Sequence, residues 1–157
     1  MKVTDHETYQ KFEPAEGSRL YELIAADVEA INALAQVDEA IDDINRRLEE
    51  AAGVIDGMSW DGSDFAETRQ AILDRQALAV MAERAAEERQ RRINAQLATR
   101  RAVQSAINPL QHWRQKVEKG ERLKTGMAAH FTDGDQADLE KAGEMLTDAR
   151  ERLLEPA

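Results

Sequence analysis

Residues 34–55 read Leu-Ala-Gln-Val-Asp-Glu-Ala-Ile-Asp-Asp-Ile-Asn-Arg-Arg-Leu-Glu-Glu-Ala-Ala-Gly-Val-Ile. Leu34, Val37, Ile41, Ile44, Leu48, Ala51 and Ile55 recur at 3-4-3-4-3-4 spacing. That is the heptad spacing of a helix with one apolar seam. Upstream, Leu20, Ile24, Val28 and Ile31 prolong the stripe with one imperfect step. Asp38, Glu39, Asp42 and Asp43 occupy the other faces. A helix is expected from about residue 19 to about residue 55, with Ser18 as its N-cap.

Outward from this seam, residues 53–63 carry three glycines and two Asp/Ser clusters and read as a loop. Asp64 stands three residues before Glu67, the spacing of a capping box at the start of a second helix. Phe65, Ile72, Ala79, Ala86 and Ile93 then recur every seven residues, and Leu97 and Ile107 extend the apolar side. Neither glycine nor proline interrupts residues 64–107. A helix of that length would be about 66 Å long. A compact globule of this chain length has a radius of gyration of only about 15 Å. Asn108-Pro109-Leu110-Gln111 reads as a stop and restart, with Asn108 as cap and Pro109 in the first turn. A short third helix with Leu110, Trp113 and Val117 is expected there, then a connection over 120–134. A last helix is expected from near Asp135 to about Leu154, where Leu139, Ala142, Leu146, Ala149 and Leu153 again step 3-4-3-4.

The expected fold class is therefore all-α. It is an elongated, coiled-coil-like antiparallel hairpin over 18–107, with two shorter C-terminal helices over 108–157. Residues 1–17, interrupted by Pro14 and Gly17, form an N-terminal arm that Tyr9 and Phe12 would dock. Composition agrees. Of 157 residues, 26 are alanine and only seven are aromatic. Such a core suits close helix–helix packing better than a sandwich or barrel.

The net charge of −10 is unevenly spread. Residues 1–83 carry 7 Lys/Arg against 19 Asp/Glu, 84–124 carry 11 against 4, and 125–157 carry 3 against 8. Counting outward from a loop over 53–63 sets the basic run Arg84–Arg101 beside Glu16, Glu22, Asp27 and Glu29. Much of the asymmetry would then be internal to the hairpin. The run includes Arg89, Arg91, Arg92 and Arg100 but no interleaved aromatic residue, so nucleic acid is not the expected partner.

Most chemistries lack their residues. There is no cysteine, hence no disulfide, thiolate zinc site or cysteine nucleophile. His6, His112 and His130 share no i,i+3 or i,i+4 spacing, and no Glu-x-x-His pair occurs. Asp133, Asp135, Asp138 and Glu140 crowd a helix start. They fail the EF-hand pattern, because Asp138 stands where that loop needs glycine. Neither a phosphate loop nor a Gly-x-Ser-x-Gly elbow is present. No catalytic site, metal or cofactor is expected. The longest apolar run, Ala77–Ala82, is far too short to span a bilayer, and no secretory h-region opens the chain. A soluble, cytoplasmic protein is the expectation.

Trp60-Asp61-Gly62, between the two long helices, resembles the turn of the small secreted helical hairpins named for their Trp-x-Gly motif. The resemblance implies a hairpin over about 19–107. The chain departs from that pattern in having no tyrosine after Tyr21, so the export signal that follows the second helix in those proteins is missing.

The functional expectation is a non-enzymatic interaction or assembly protein: an adaptor, a chaperone-like factor or a structural subunit. It would act through its helical seams on a protein partner, a second copy of itself included. Ile41, Ile44, Leu48, Ile72, Ile93 and Leu97 are the seam candidates, and Arg91, Arg92 and Arg100 the basic ones. The alternative is an acidic inhibitor that presents Asp38, Glu39, Asp42 and Asp43 to a basic, nucleic-acid-handling partner.

Overall fold

The computed structural model describes residues 12–59 and 61–156. Tyr9 and Trp60, to which docking and turn roles were assigned above, lie outside the described residues. Three α-helices follow one another: α1 (Arg19–Asp56), α2 (Phe65–Gly126) and α3 (Asp133–Leu154), with a 3-10 turn at Ala128–His130 before α3. The two long helices pack against each other as a hairpin, with a shorter C-terminal helix.

The start of α1 follows the sequence reading. Ser18 Oγ accepts the backbone N–H of Tyr21 at 3.2 Å, satisfying one of the four N–H groups that a helix start leaves without a partner. The heptad seam of α1 is the inward face. Leu20, Ile24, Val28, Ile44 and Ala51 are buried, and Ile31, Leu34, Val37, Ile41, Leu48 and Ile55 half-buried. At α3, Thr132 and Asp135 form a capping box, each side chain accepting the other's backbone N–H at 3.0–3.1 Å. Asp133 and Asp135 sit in its first turn, where the helix dipole favours carboxylates.

Three expectations are corrected. The loop is shorter than 53–63, because α1 runs through Gly53 to Asp56. Asp64 does not close a capping box with Glu67. Its two carboxylate oxygens accept the Ser59 N–H at 3.0 and 3.1 Å, which ties the two ends of the loop together. Gly62 takes φ +68°, a left-handed conformation that side chains resist.

The third correction concerns Pro109. No helix ends at Asn108: α2 continues through the proline to Gly126, so one of the two expected short C-terminal helices is the continuation of α2. The expected connection over 120–134 is correspondingly reduced. Proline removes one helical N–H and crowds the carbonyl four residues back. That carbonyl belongs to Ser105, which is exposed, as is Pro109 itself, so water can serve it. On the opposite face Val103, Ile107 and Leu110 are buried and keep the helical stripe in step.

The chain divides into two compact units. Among the described residues, one comprises 12–29 with 97–156. Its core joins Phe12, Leu20, Ile24 and Val28 to Val103, Ile107 and Leu110 of α2 and Leu153 of α3. Phe12 is buried in this core. The Ala15 N–H donates to the Leu154 carbonyl at 2.9 Å, and Ser18 bridges Pro156, clasping the segment before α1 to the end of α3. Buried Asp27 accepts the Thr99 hydroxyl at 2.8 Å. Gly120 lets α2 approach α3: a Cβ there would stand 2.7 Å from Leu139 Cδ1. The other unit, residues 30–96, consists of the hairpin arms and their loop.

Candidate interaction surface

In the 30–96 unit the side of α2 that is buried is not the one its seven-residue repeat marks. Thr68, Ala71 and Leu78 are buried, and Ala82 and Ala85 half-buried. The repeat Phe65, Ile72, Ala79, Ala86 and Ile93 stands one residue later and is exposed up to Ala86, with Ile93 half-buried. A one-residue step turns a helix by about 100°. Apart from Leu78, small residues face inward, where alanine lets two helices approach closely, and Phe65, Ile72, Leu73 and Val80 are left outside. Phe65 is 62% exposed, Leu73 50%, Val80 48% and Ile72 36%. Four apolar side chains along one face of one helix are more than the scattered singles of an ordinary surface.

Beside this stripe, a shallow cleft of about 780 Å³ lies between α1 and α2. Ala51, Val54, Ala71, Leu78 and Met81 give it an apolar floor, and Arg47, Glu50, Glu67 and Asp74 a charged rim. Its rim carries three carboxylates to one guanidinium.

The seam candidates separate. On α1, Ile44 is buried and Ile41 and Leu48 half-buried. On α2, Ile93 is half-buried, while Ile72 and Leu97 are exposed.

The charged candidates separate too. Arg89 Nε donates to Asp38 Oδ1 at 2.6 Å across the hairpin. This pair corrects the expected register: Arg89 faces Asp38, about ten residues further along α1 than counting from a 53–63 loop gives. Arg91 and Arg92 bond Glu88 on their own helix at 3.0 and 2.8 Å. Asp43 pairs with Arg46 and, at 3.1 Å, with Arg47. The hydrogen bond from Arg46 holds the Asp43 carboxyl below its ordinary pKa. Glu39, Asp42 and Arg100 are exposed and make no ion pair among the described residues. Part of the charge asymmetry is therefore internal. These pairs are exposed, so solvent screening leaves each of them little weight in stability.

The other unit holds a feature that sequence spacing did not reveal. Lys116 and Lys119 of α2 and Lys141 of α3 meet His112, Trp113 and Phe131 around a cleft of about 410 Å³. Only Lys116 and Lys119 share a helical spacing, and Lys141 joins them by tertiary folding. Asp135 and Asp138 line the same cleft and offset its charge.

Among the described residues no three metal-ligating side chains come together, and no helix is long and apolar enough to cross a membrane. Compared with known protein families, curated proteins and solved structures, the chain matches none.

Proposed function

We propose that this chain is a non-catalytic interaction or assembly protein whose working surface is the outer face of α2 in the 30–96 unit. One observation carries the reading: Phe65, Ile72, Leu73 and Val80 are held out to solvent on a helix whose inner face is already occupied. A helix with a second apolar stripe favours burying it against another helix. The acidic-inhibitor alternative gains less support, because Asp38 and Asp43 are engaged by arginines of the chain itself.

The test is a triple variant, Phe65→Ser with Ile72→Ser and Val80→Ser, beside the charge reversal of Glu39 and Asp42. Far-ultraviolet circular dichroism checks the fold. Binding is read against proteins retained from an extract of the source cells and against the chain itself. The expected outcome is intact helicity in both, with association lost only in the triple variant. Wild-type association in the triple variant would overturn the proposal, and loss only on charge reversal would favour the acidic alternative.

A further inference from the structure

The outer face of α2 has a pattern beyond its apolarity. Phe65, Arg69, Ile72, Gln76, Ala79 and Glu83 step 4-3-4-3-4, a heptad seam, with Leu73 and Val80 widening it. Its polar members are unengaged: Arg69, Gln76 and Glu83 are exposed and have no ion pair or side-chain hydrogen bond among the described residues. In the same unit Arg91, Arg92 and Gln70 are engaged, by Glu88 and Asp74, while Arg75 and Arg84 are exposed and unpaired among the described residues.

The pattern from Arg69 to Glu83 is symmetric about Gln76, whereas Phe65 has Glu87 as its counterpart. Arg69 and Glu83 lie seven residues to either side of it, and Ile72 and Val80 four. A two-fold axis through an antiparallel helix pair makes residue i of one copy face residue j of the other, and j face i. With the axis beside Gln76, Arg69 of each copy faces Glu83 of the other, and Ile72 faces Val80. The two Gln76 amides meet at the centre, where each can donate to and accept from the other. A parallel pair would set Arg69 against Arg69 and Glu83 against Glu83, and like charges in contact are unfavourable.

We infer that the partner of this stripe is a second copy of the same chain, packed antiparallel along α2 about a two-fold axis beside Gln76. The inference rests on the outer face of α2 being the working surface. Residues 65–87 span about 33 Å of helix. A single helix-on-helix contact of that length is smaller than the standard interface of about 800 Å² per partner. The dimer is accordingly weak and dependent on concentration.

Sedimentation equilibrium on the full chain, up to about 1 mM because so small a contact binds weakly, is the first measurement. Arg69→Glu should weaken the dimer at least about tenfold, as should Glu83→Arg, by placing like charges across the axis. The double variant carrying both changes should return to within a few-fold of wild type. The chain has no cysteine, so single cysteines are clean reporters. Gln76→Cys should form a disulfide between copies on mild oxidation. Glu87→Cys should not, because eleven residues from the axis its two copies stand about 33 Å apart. A wild-type chain that stays monomeric overturns the inference. So does a double variant no better than the single ones, or a self-linked Glu87→Cys. If the chain is monomeric but the triple serine variant still loses a protein partner, the assembly reading stands and only the identity of the occupant fails. If that variant loses nothing, both fail.

Discussion

Single residues in this chain differ in ways that spacing alone does not disclose, and its glycines show this most directly. Gly120, Gly143 and Gly53 all lie inside helices. A Cβ at Gly143 or Gly53 would meet nothing within 4 Å, whereas at Gly120 it would press on Leu139. Replacing a helical glycine by alanine gains about 1 kcal/mol where space permits. Gly143→Ala and Gly53→Ala should therefore each raise the midpoint of urea unfolding, by up to about 1 kcal/mol of stability. Gly120→Ala should give none of that gain, because Leu139 must shift to admit the methyl group. In sequence the three look alike, since close approach is a property of two helices brought together. Gly62 differs, because its place in a loop between two helices already asked for a turn conformation. The loop carboxylates are similar: the Ser63 N–H donates to Asp61 at 3.0 Å and holds that carboxyl below its ordinary pKa. Local bonds of this kind are visible in the Asp-x-Ser order of the chain.

At the scale of the element, α1 and α3 were legible because their large apolar residues are also their inward ones. The single stripe Leu34–Ile55 leaves no second face to confuse it. On α2, Ile72, Leu73 and Val80 outweigh Ala71, Ala82 and Ala85 in apolar character, yet the alanines, with Thr68 and Leu78, are the contact face. Hydrophobic bulk marks a helix and its period. It does not mark which of two apolar faces the chain itself covers. The end of the second helix was misread for a related reason. Asn108-Pro109 is a good local start signal, but Val103, Ile107 and Leu110 bury one continuous stripe across it. Tertiary packing then outweighs the local cost, which is about 3 kcal/mol for proline in a helix interior. Pro109→Ala should consequently stabilise the protein, by about 1–3 kcal/mol in chemical unfolding, with no loss of helicity. A proline that opened a new helix would give no such gain. The candidate surface was half legible in the same sense. Ile72 and Leu97 were read as seam residues and are exposed, while the symmetry of Arg69 and Glu83 about Gln76 emerges only once that face is known to be free.

Across the whole molecule, the net charge of −10 has become a set of local arrangements. Arg89 faces Asp38, Arg91 and Arg92 are held by Glu88, and three lysines share a cleft with two aspartates. The scarcity of aromatic residues fits a hairpin whose helices meet through alanine. The two units are also built unequally. The unit of residues 12–29 and 97–156 draws on all three helices and holds Leu20, Ile24 and Leu110 without exposed surface, whereas the 30–96 unit leaves Phe65, Leu73 and Val80 in water.

That division has a consequence for the order in which the chain folds. The 30–96 unit is one uninterrupted stretch, so its contacts close short loops. The core that joins Ile24 to Val103 and Leu153, by contrast, cannot form until the intervening chain has been made and brought back. The cost of closing a loop grows with its length, and contacts distant in sequence slow folding. During refolding, pulsed hydrogen exchange should show amides around Ile44 and Leu78 protected no later than those around Ile24 and Val103. The clasp from Ala15 to Leu154 should come last. On a ribosome, the discontinuous core would stay open until the end of α3 has emerged, so the most deeply buried part of the protein would be the last to be secured.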